Sequence, residues 1–160
     1  MGIEIERKFL VNGNDWRTLG TATGMRQGYL CADPARTVRV RIEGEQGVLT
    51  IKGKSDGGGI ARGEWEYPIP LGEAQELLDG VCERPLVEKI RHRIAYAGFT
   101  WEVDEFLGEN AGLVVAEIEL PAEDTVFDKP DWVGAEVTHD ARYFNSNLIR
   151  NPYSSWKDSA

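Results

Sequence analysis

Cysteine is scarce: the chain has two, Cys31 and Cys82, far apart and in neither CxxC nor Cys-His spacing. That spacing argues against a zinc site or a redox motif, and free thiols are expected. No run of about 18 apolar residues occurs, which excludes a membrane-spanning helix. The start MGIEIERKFL is charged from its fourth residue, so no secretory leader is expected and the cytoplasm is the expected compartment. Positive charge is in deficit, with 18 Lys+Arg against 27 Asp+Glu and a net charge of −9. Such a balance disfavours loose binding to nucleic acid and, at first sight, any acidic ligand. Repeats, low-complexity tracts and Pro-rich linkers are absent too, so residues 1–160 read as one domain. What is present is a chain long enough to bury roughly two-thirds of its unfolded surface without disulfide or metal staples.

Alternation of apolar and polar residues with period two marks strands in Ile3 to Leu10, Met25 to Cys31, Thr37 to Glu43 and Gly47 to Gly53. It continues in Ala61 to Ile69, Val87 to Tyr96, Phe99 to Phe106 and Leu113 to Leu120. EGEQG, SDGGG, AGF and GENAG supply turns between them, making several of the strands antiparallel neighbours. Helical spacing is confined to short pieces near Asn14 to Leu19, Glu73 to Leu78, from about Ala122, and Asp140 to Leu148.

Sorting each strand by parity separates charge from core, because residues i and i+2 share a face about 6.6 Å apart. Glu4, Glu6 and Lys8 lie opposite Ile3, Ile5 and Phe9; Arg39 and Arg41 opposite Val38, Val40 and Ile42; Lys52 opposite Leu49 and Ile51. Glu64 and Glu66 oppose Trp65 and Tyr67, Lys89, Arg91 and Arg93 oppose Ile90 and Ile94, and Glu102 and Asp104 oppose Trp101 and Val103. Glu117 and Glu119 oppose Ile118 and Leu120. A solvated antiparallel face would explain any one of these strands. Together they are almost purely ionic and segregated by sign, and like neighbours at that spacing repel by about 2.5 kcal/mol at an effective dielectric near 20. The acidic pairs call for a divalent cation, and the basic pairs for a polyanion such as phosphate. The expected fold is therefore mainly β (α+β): a closed antiparallel barrel with a wet, charged interior and a few short helices outside.

The N-terminal Glu4-x-Glu6-x-Lys8 resembles a signature of the CYTH domain proteins, or triphosphate tunnel metalloenzymes. The resemblance continues through RVR at 39–41, TIKG at 50–53, RGEWEYPI at 62–69, EKIRHRI at 88–94, WEVDEF at 101–106, GENAGLVVAEIEL at 108–120 and EVTHDARYFNSNL at 136–148. It implies an eight-stranded antiparallel tunnel, a divalent metal (Mg2+ or Mn2+) and a triphosphate-bearing substrate, for the short bacterial type inorganic triphosphate. By the same resemblance Lys8, Arg39, Arg41, Lys52, Lys89 and Arg91 bind phosphate, and Glu4, Glu6, Glu117 and Glu119 bind metal. Glu64, Glu66, Glu102 and Asp104 face the tunnel as metal, water or counter-ion contacts. Tyr29 resembles a tyrosine that pairs with the signature lysine in triphosphatase members; with Lys8 it completes the expected catalytic pair and favours hydrolysis over cyclisation.

Arg93 and Lys54 share the parity but sit near strand ends, where phosphate contact is not expected. His92 should point outward, Asp140 reads as a helix cap, and the tryptophans read as outer core. Asn145 and Asn147 fit the family's terminal segment without an assigned role. Alternatives to tripolyphosphate hydrolysis are a cyclase making cyclic AMP from ATP, hydrolysis of thiamine or nucleoside triphosphate, and a non-catalytic polyphosphate- or nucleotide-binding module. No nucleic-acid or membrane partner is expected, and a homodimer stays open.

Overall fold

A computed structural model describes residues 2–55 and 60–156. Nine strands form one sheet: β1 (Gly2–Val11), β2 (Thr21–Cys31), β3 (Arg36–Glu43), β4 (Gln46–Gly53), β5 (Ala61–Ile69), β6 (Val87–Tyr96), β7 (Phe99–Phe106), β8 (Val114–Glu119) and β9 (Val133–Glu136). Eight of them close in the order β1-β5-β4-β3-β2-β6-β7-β8 and back to β1, with every pair antiparallel. Closure leaves no free edge along the ring. The expected turns are in place: β6 and β7 are joined through Ala97 and Gly98, whose φ values of 48° and 85° suit a tight hairpin. The SDGGG turn lies partly outside the described residues.

The short strand β9 escapes the alternation pattern. It takes the edge of β1 that β5 leaves open, β5 pairing with Gly2 to Ile5 and β9 with Phe9 and Val11. Beyond it, Val137 donates its N–H to the Lys8 carbonyl at 2.9 Å and Thr138 Oγ1 accepts from the Lys8 N–H at 3.0 Å. The backbone of Lys8 is thereby fixed from both groups.

The outward faces of the strands carry two apolar clusters. Helix α1 (Leu71–Gly80), one turn longer than its expected core, lays buried Ala74 and Leu78 on Val40. On the other side Phe9, Trp16, Ile94, Trp101, Val103, Ala116, Ile118 and Trp132 form the larger cluster. His92 joins it as expected from parity, edge-on to Trp16 with ring centres 4.9 Å apart. The helix expected from Ala122 does not form. Thr125 Oγ1 instead accepts from the Ala122 N–H at 3.1 Å, closing a local turn, and the chain runs on irregularly to Pro130. Phe127 on this segment stacks edge-to-face on Phe9 and Trp101, at 6.1 and 5.8 Å, so packing rather than helix covers that face. Asp140 does cap, but a 3-10 turn, Ala141–Tyr143, followed by the brief α2 (Asn145–Leu148).

A third cluster lies inside the ring. Tyr29, Val87, Phe106 and Val115 share the inward parity of the charged residues, yet they meet Leu148 and Ile149 from α2 and its end. Inward positions thus change from ionic to apolar toward one end, where the C-terminal segment seals the barrel as a floor. No helix among the described residues is long and apolar enough to cross a membrane.

Candidate active site

Above that floor the barrel encloses a cavity of about 610 Å³. Of the residues singled out by parity, Lys8, Tyr29, Arg39, Arg41, Lys52, Lys89, Arg91, Glu4, Glu6, Glu117, Glu119, Glu64, Glu66 and Glu102 all line it. Asp104 does not. It lies inside the ring beneath the cation side chains, opposite Arg91 in the β6–β7 register and with no solvent exposure, accepting from Lys89 Nζ at 2.8 Å and from Arg91 Nε and Nη2 at 2.8 and 2.9 Å. Arg93 and Lys54 also reach the cavity, Arg93 held by Glu43 at 2.6 Å and Glu102 at 3.4 Å.

The charges separate by wall. Strands β1, β8 and β5 present carboxylates. Glu4 is gripped by Lys52 Nζ, 2.9 Å from both of its oxygens, and by Arg62 at 3.5 Å; although burial opposes ionisation, these cations hold its carboxyl down at about 2. Lys8 Nζ sits 3.2 Å from Glu6 and 3.5 Å from Glu117; burial works against the ammonium, but these carboxylates raise its pKa on balance. Crowding shows at the neighbours. Burial and then Glu4 push the Glu64 carboxyl up to about 7, and burial with Glu4, Glu6 and Glu102 raises Glu119.

Strands β3 and β6 present the opposite sign. Arg91 is spoken for by Asp104, Glu102 and Glu117, but Arg41 has no carboxylate within salt-bridge distance among the described residues. Burial and the neighbouring Arg39 and Arg91 lower its pKa to about 10. Arg39 reaches Thr50 at 3.3 Å and Glu66 only at 4.0 Å, and its buried Nε has no partner. Uncompensated guanidinium groups aimed into a cavity favour a multiply charged anion there.

Glu4, Glu6, Glu117 and Glu119 come from adjacent strands, with Glu6 opposite Glu119 in the β1–β8 register. Among the described residues no three such side chains stand ready to grip an ion, since Glu4 is turned to Lys52 and Glu6 to Lys8. The donor set nonetheless fits a hard divalent cation. It is all oxygen, and burial together with repulsion from neighbouring carboxylates raises the pKa values of Glu119 and Glu64, a cost that a cation would lower.

Tyr29 lies at the junction of cavity and floor, its hydroxyl 3.5 Å from the Gln27 amide, while the polar contacts of Lys8 Nζ are to Glu6 and Glu117. Several cavity residues were not singled out in the sequence. Arg62 and Glu43 share the parity of their charged neighbours and were legible on that ground. Thr50 shares it as well but is uncharged, as is Gln27, buried just behind Arg41, and Asn145, named in the sequence without a role, arrives from α2, for which strand parity has no meaning.

A closed antiparallel β-tunnel with carboxylates on one wall and, among the described residues, guanidinium groups without close carboxylate partners on another is an architecture suited to a polyanion. The chain belongs to the CYTH domain family, whose model matches residues 2–153. It is 56% identical to an inorganic triphosphatase of Acetivibrio thermocellus over 158 residues, 99% of this chain and all (100%) of that one. An inorganic triphosphatase of Nitrosomonas europaea is 37% identical over 150 residues, 91% of this chain and 95% of that protein. A crystal structure of an inorganic triphosphatase superposes with a TM-score of 0.65 at 35% identity, covering 91% of this chain and 97% of that one.

Proposed function

We propose that this chain hydrolyses inorganic triphosphate to pyrophosphate and phosphate, using Mg2+ or Mn2+, as one domain spanning residues 1–160. The observation that carries the reading is the pair Arg39, buried, and Arg41, half-buried, both lining the cavity and lacking close carboxylate partners among the described residues. Similarity to proteins named inorganic triphosphatase supports it.

In the reaction a water oxygen forms a bond to a terminal phosphorus while the bridging P–O bond breaks, its electrons leaving on pyrophosphate and the water proton passing to a carboxylate. Arg39, Arg41, Lys52, Lys89 and Arg91 bind and orient the chain of phosphates, fixing the phosphorus for in-line attack. Lys8, held by Glu6 and Glu117, meets the charge that gathers on the leaving oxygen. Glu4, Glu6, Glu117 and Glu119 would hold the cation, which supplies Lewis-acid polarisation of phosphate oxygens when bound. Glu64, with its carboxyl near 7, is placed to hold a proton at neutral pH. Free Cys31 and Cys82 accord with a cytoplasmic setting for the same proposal.

Purified protein with Mg2+ or Mn2+ is expected to release phosphate from tripolyphosphate in preference to ATP, thiamine triphosphate and pyrophosphate. Lys8→Ala and Glu4→Ala should each lower turnover by about a hundredfold or more, the scale of losing one transition-state contact. Wild-type rates in either variant would refute the assignment.

A further inference from the structure

The C-terminal segment does more than seal the floor. Asn145 turns its carboxamide toward the cation wall, where Oδ1 accepts from Lys89 Nζ at 2.9 Å and from Gln27 Nε2 at 3.1 Å. Gln27 has no solvent exposure, and its own Oε1 accepts from Arg41 Nε at 3.0 Å. Lys89 from β6 and Arg41 from β3 are thus joined through two neutral amides supplied by α2 and β2.

The choice of amide has a chemical consequence. A carboxylate at either position would hold its cation as firmly, but it would cancel charge that the wall presents to an anion. An amide oxygen accepts through its dipole and cancels neither positive charge itself. Asp104 already supplies the single buried counter-charge shared by Lys89 and Arg91. Because the bridge is made on folding, the ordering of Lys89 and Arg41 is complete before a ligand arrives.

We infer that Asn145, through Gln27, is a positioning residue for the phosphate-binding cations: the C-terminal segment fixes Lys89 and Arg41 with a neutral bridge and so sets the affinity for a polyphosphate chain. The inference rests on the proposed use of the cavity as a triphosphate site. Loss of the bridge should act on ground-state binding, hence on KM, more than on kcat.

The test compares the full chain with Asn145→Ala, Asn145→Asp, Gln27→Ala and the double alanine variant. Tripolyphosphate hydrolysis is measured with Mg2+, tripolyphosphate binding by calorimetry in EDTA, and stability by melting temperature. Asn145→Ala is expected to raise KM and weaken binding by roughly tenfold or more, as for loss of a hydrogen bond to a charged group, and Asn145→Asp to weaken it likewise by adding negative charge to the cation wall, with kcat little changed in both. Asn145→Asp is the decisive variant. It is isosteric, can still bond Lys89 and should keep the melting temperature, so a purely structural role predicts wild-type binding while the inference predicts weakened binding. The double variant should lose less than the sum of its parts. Binding by Asn145→Asp within about twofold of wild type, below one hydrogen bond's worth, overturns the inference, as does a loss confined to kcat. Should Asn145→Ala fail to fold, Asn145→Asp carries the comparison alone. Wild-type protein that binds tripolyphosphate without hydrolysing it would refute the proposed reaction and leave the bridge standing; absence of binding refutes both.

Discussion

Asp104 is the counter-charge beneath the cation side chains, wholly buried and bonded to both Lys89 and Arg91. Breaking a buried pair from one side strands the partner charge and costs about 3–5 kcal/mol. Asp104→Asn is therefore expected to destabilise by about that amount in urea titration, and tripolyphosphate should recover part of the loss by supplying the missing anion. Lys89 makes a second demand. Burial, with Arg91 and Arg41 nearby, lowers its pKa to about 7 despite Asp104. A lowered ammonium pKa costs stability below that pH, a cost relieved as pH rises toward the unfolded value of about 10.4. The unliganded side chain is thus largely neutral at about pH 8, and a bound polyphosphate favours its charged form. Calorimetry at that pH in buffers of different ionisation heat should show proton uptake on binding tripolyphosphate; the absence of uptake would contradict the assignment of Lys89 to phosphate.

At the scale of elements, the strands were written in the sequence far more plainly than what surrounds them. Alternation located all eight barrel strands because each must show one face to an ionic interior and the other to an apolar coat. It missed β9, whose VGAE is too short to show a period, and it suggested a helix after Ala122 where a threonine turn and aromatic packing prevail. Parity also named a face without naming a partner, so it could not choose among metal, water and counter-ion contacts for Asp104 or tell that Gln27 bridges to Asn145. Those facts depend on contacts 118 residues apart in sequence for the amide pair, which no local pattern encodes. The outer coat makes its own prediction at Gly28, which faces outward from β2. A Cβ there would stand 2.7 Å from Leu86 Cδ2 and 2.9 Å from Cys82 Cβ. Gly28→Ala should displace the segment joining α1 to β6 and cost about 1–3 kcal/mol, read from the urea midpoint.

For the whole molecule, a net charge of −9 describes the surface and the carboxylate wall together and conceals a cationic wall within. Two carboxylates of the same wall respond to pH in opposite senses. Glu4, held at about 2, adds stability that is present above its unfolded pKa and lost as pH falls toward that value. Glu64, raised to about 7, works the other way: its contribution is lost as pH rises from about 4.3 through 7. In EDTA the melting temperature is expected to decline over that upper window. Glu64→Gln should flatten the decline, and Mg2+ or Mn2+ should offset it by neutralising the carboxylates. An unchanged slope in Glu64→Gln would assign the effect elsewhere.

The apolar floor formed by Tyr29, Val87, Phe106, Val115, Leu148 and Ile149 closes one end of the ring of strands. For the proposed reaction, loading and emptying through the opposite end is last in, first out. Whichever fragment of a cleaved phosphate chain lies nearer that end must depart before the fragment beneath it, and the barrel cannot refill until both have gone. The order in which products leave, and which of them inhibits by lingering, is therefore set by the orientation in which the chain of phosphates first went down.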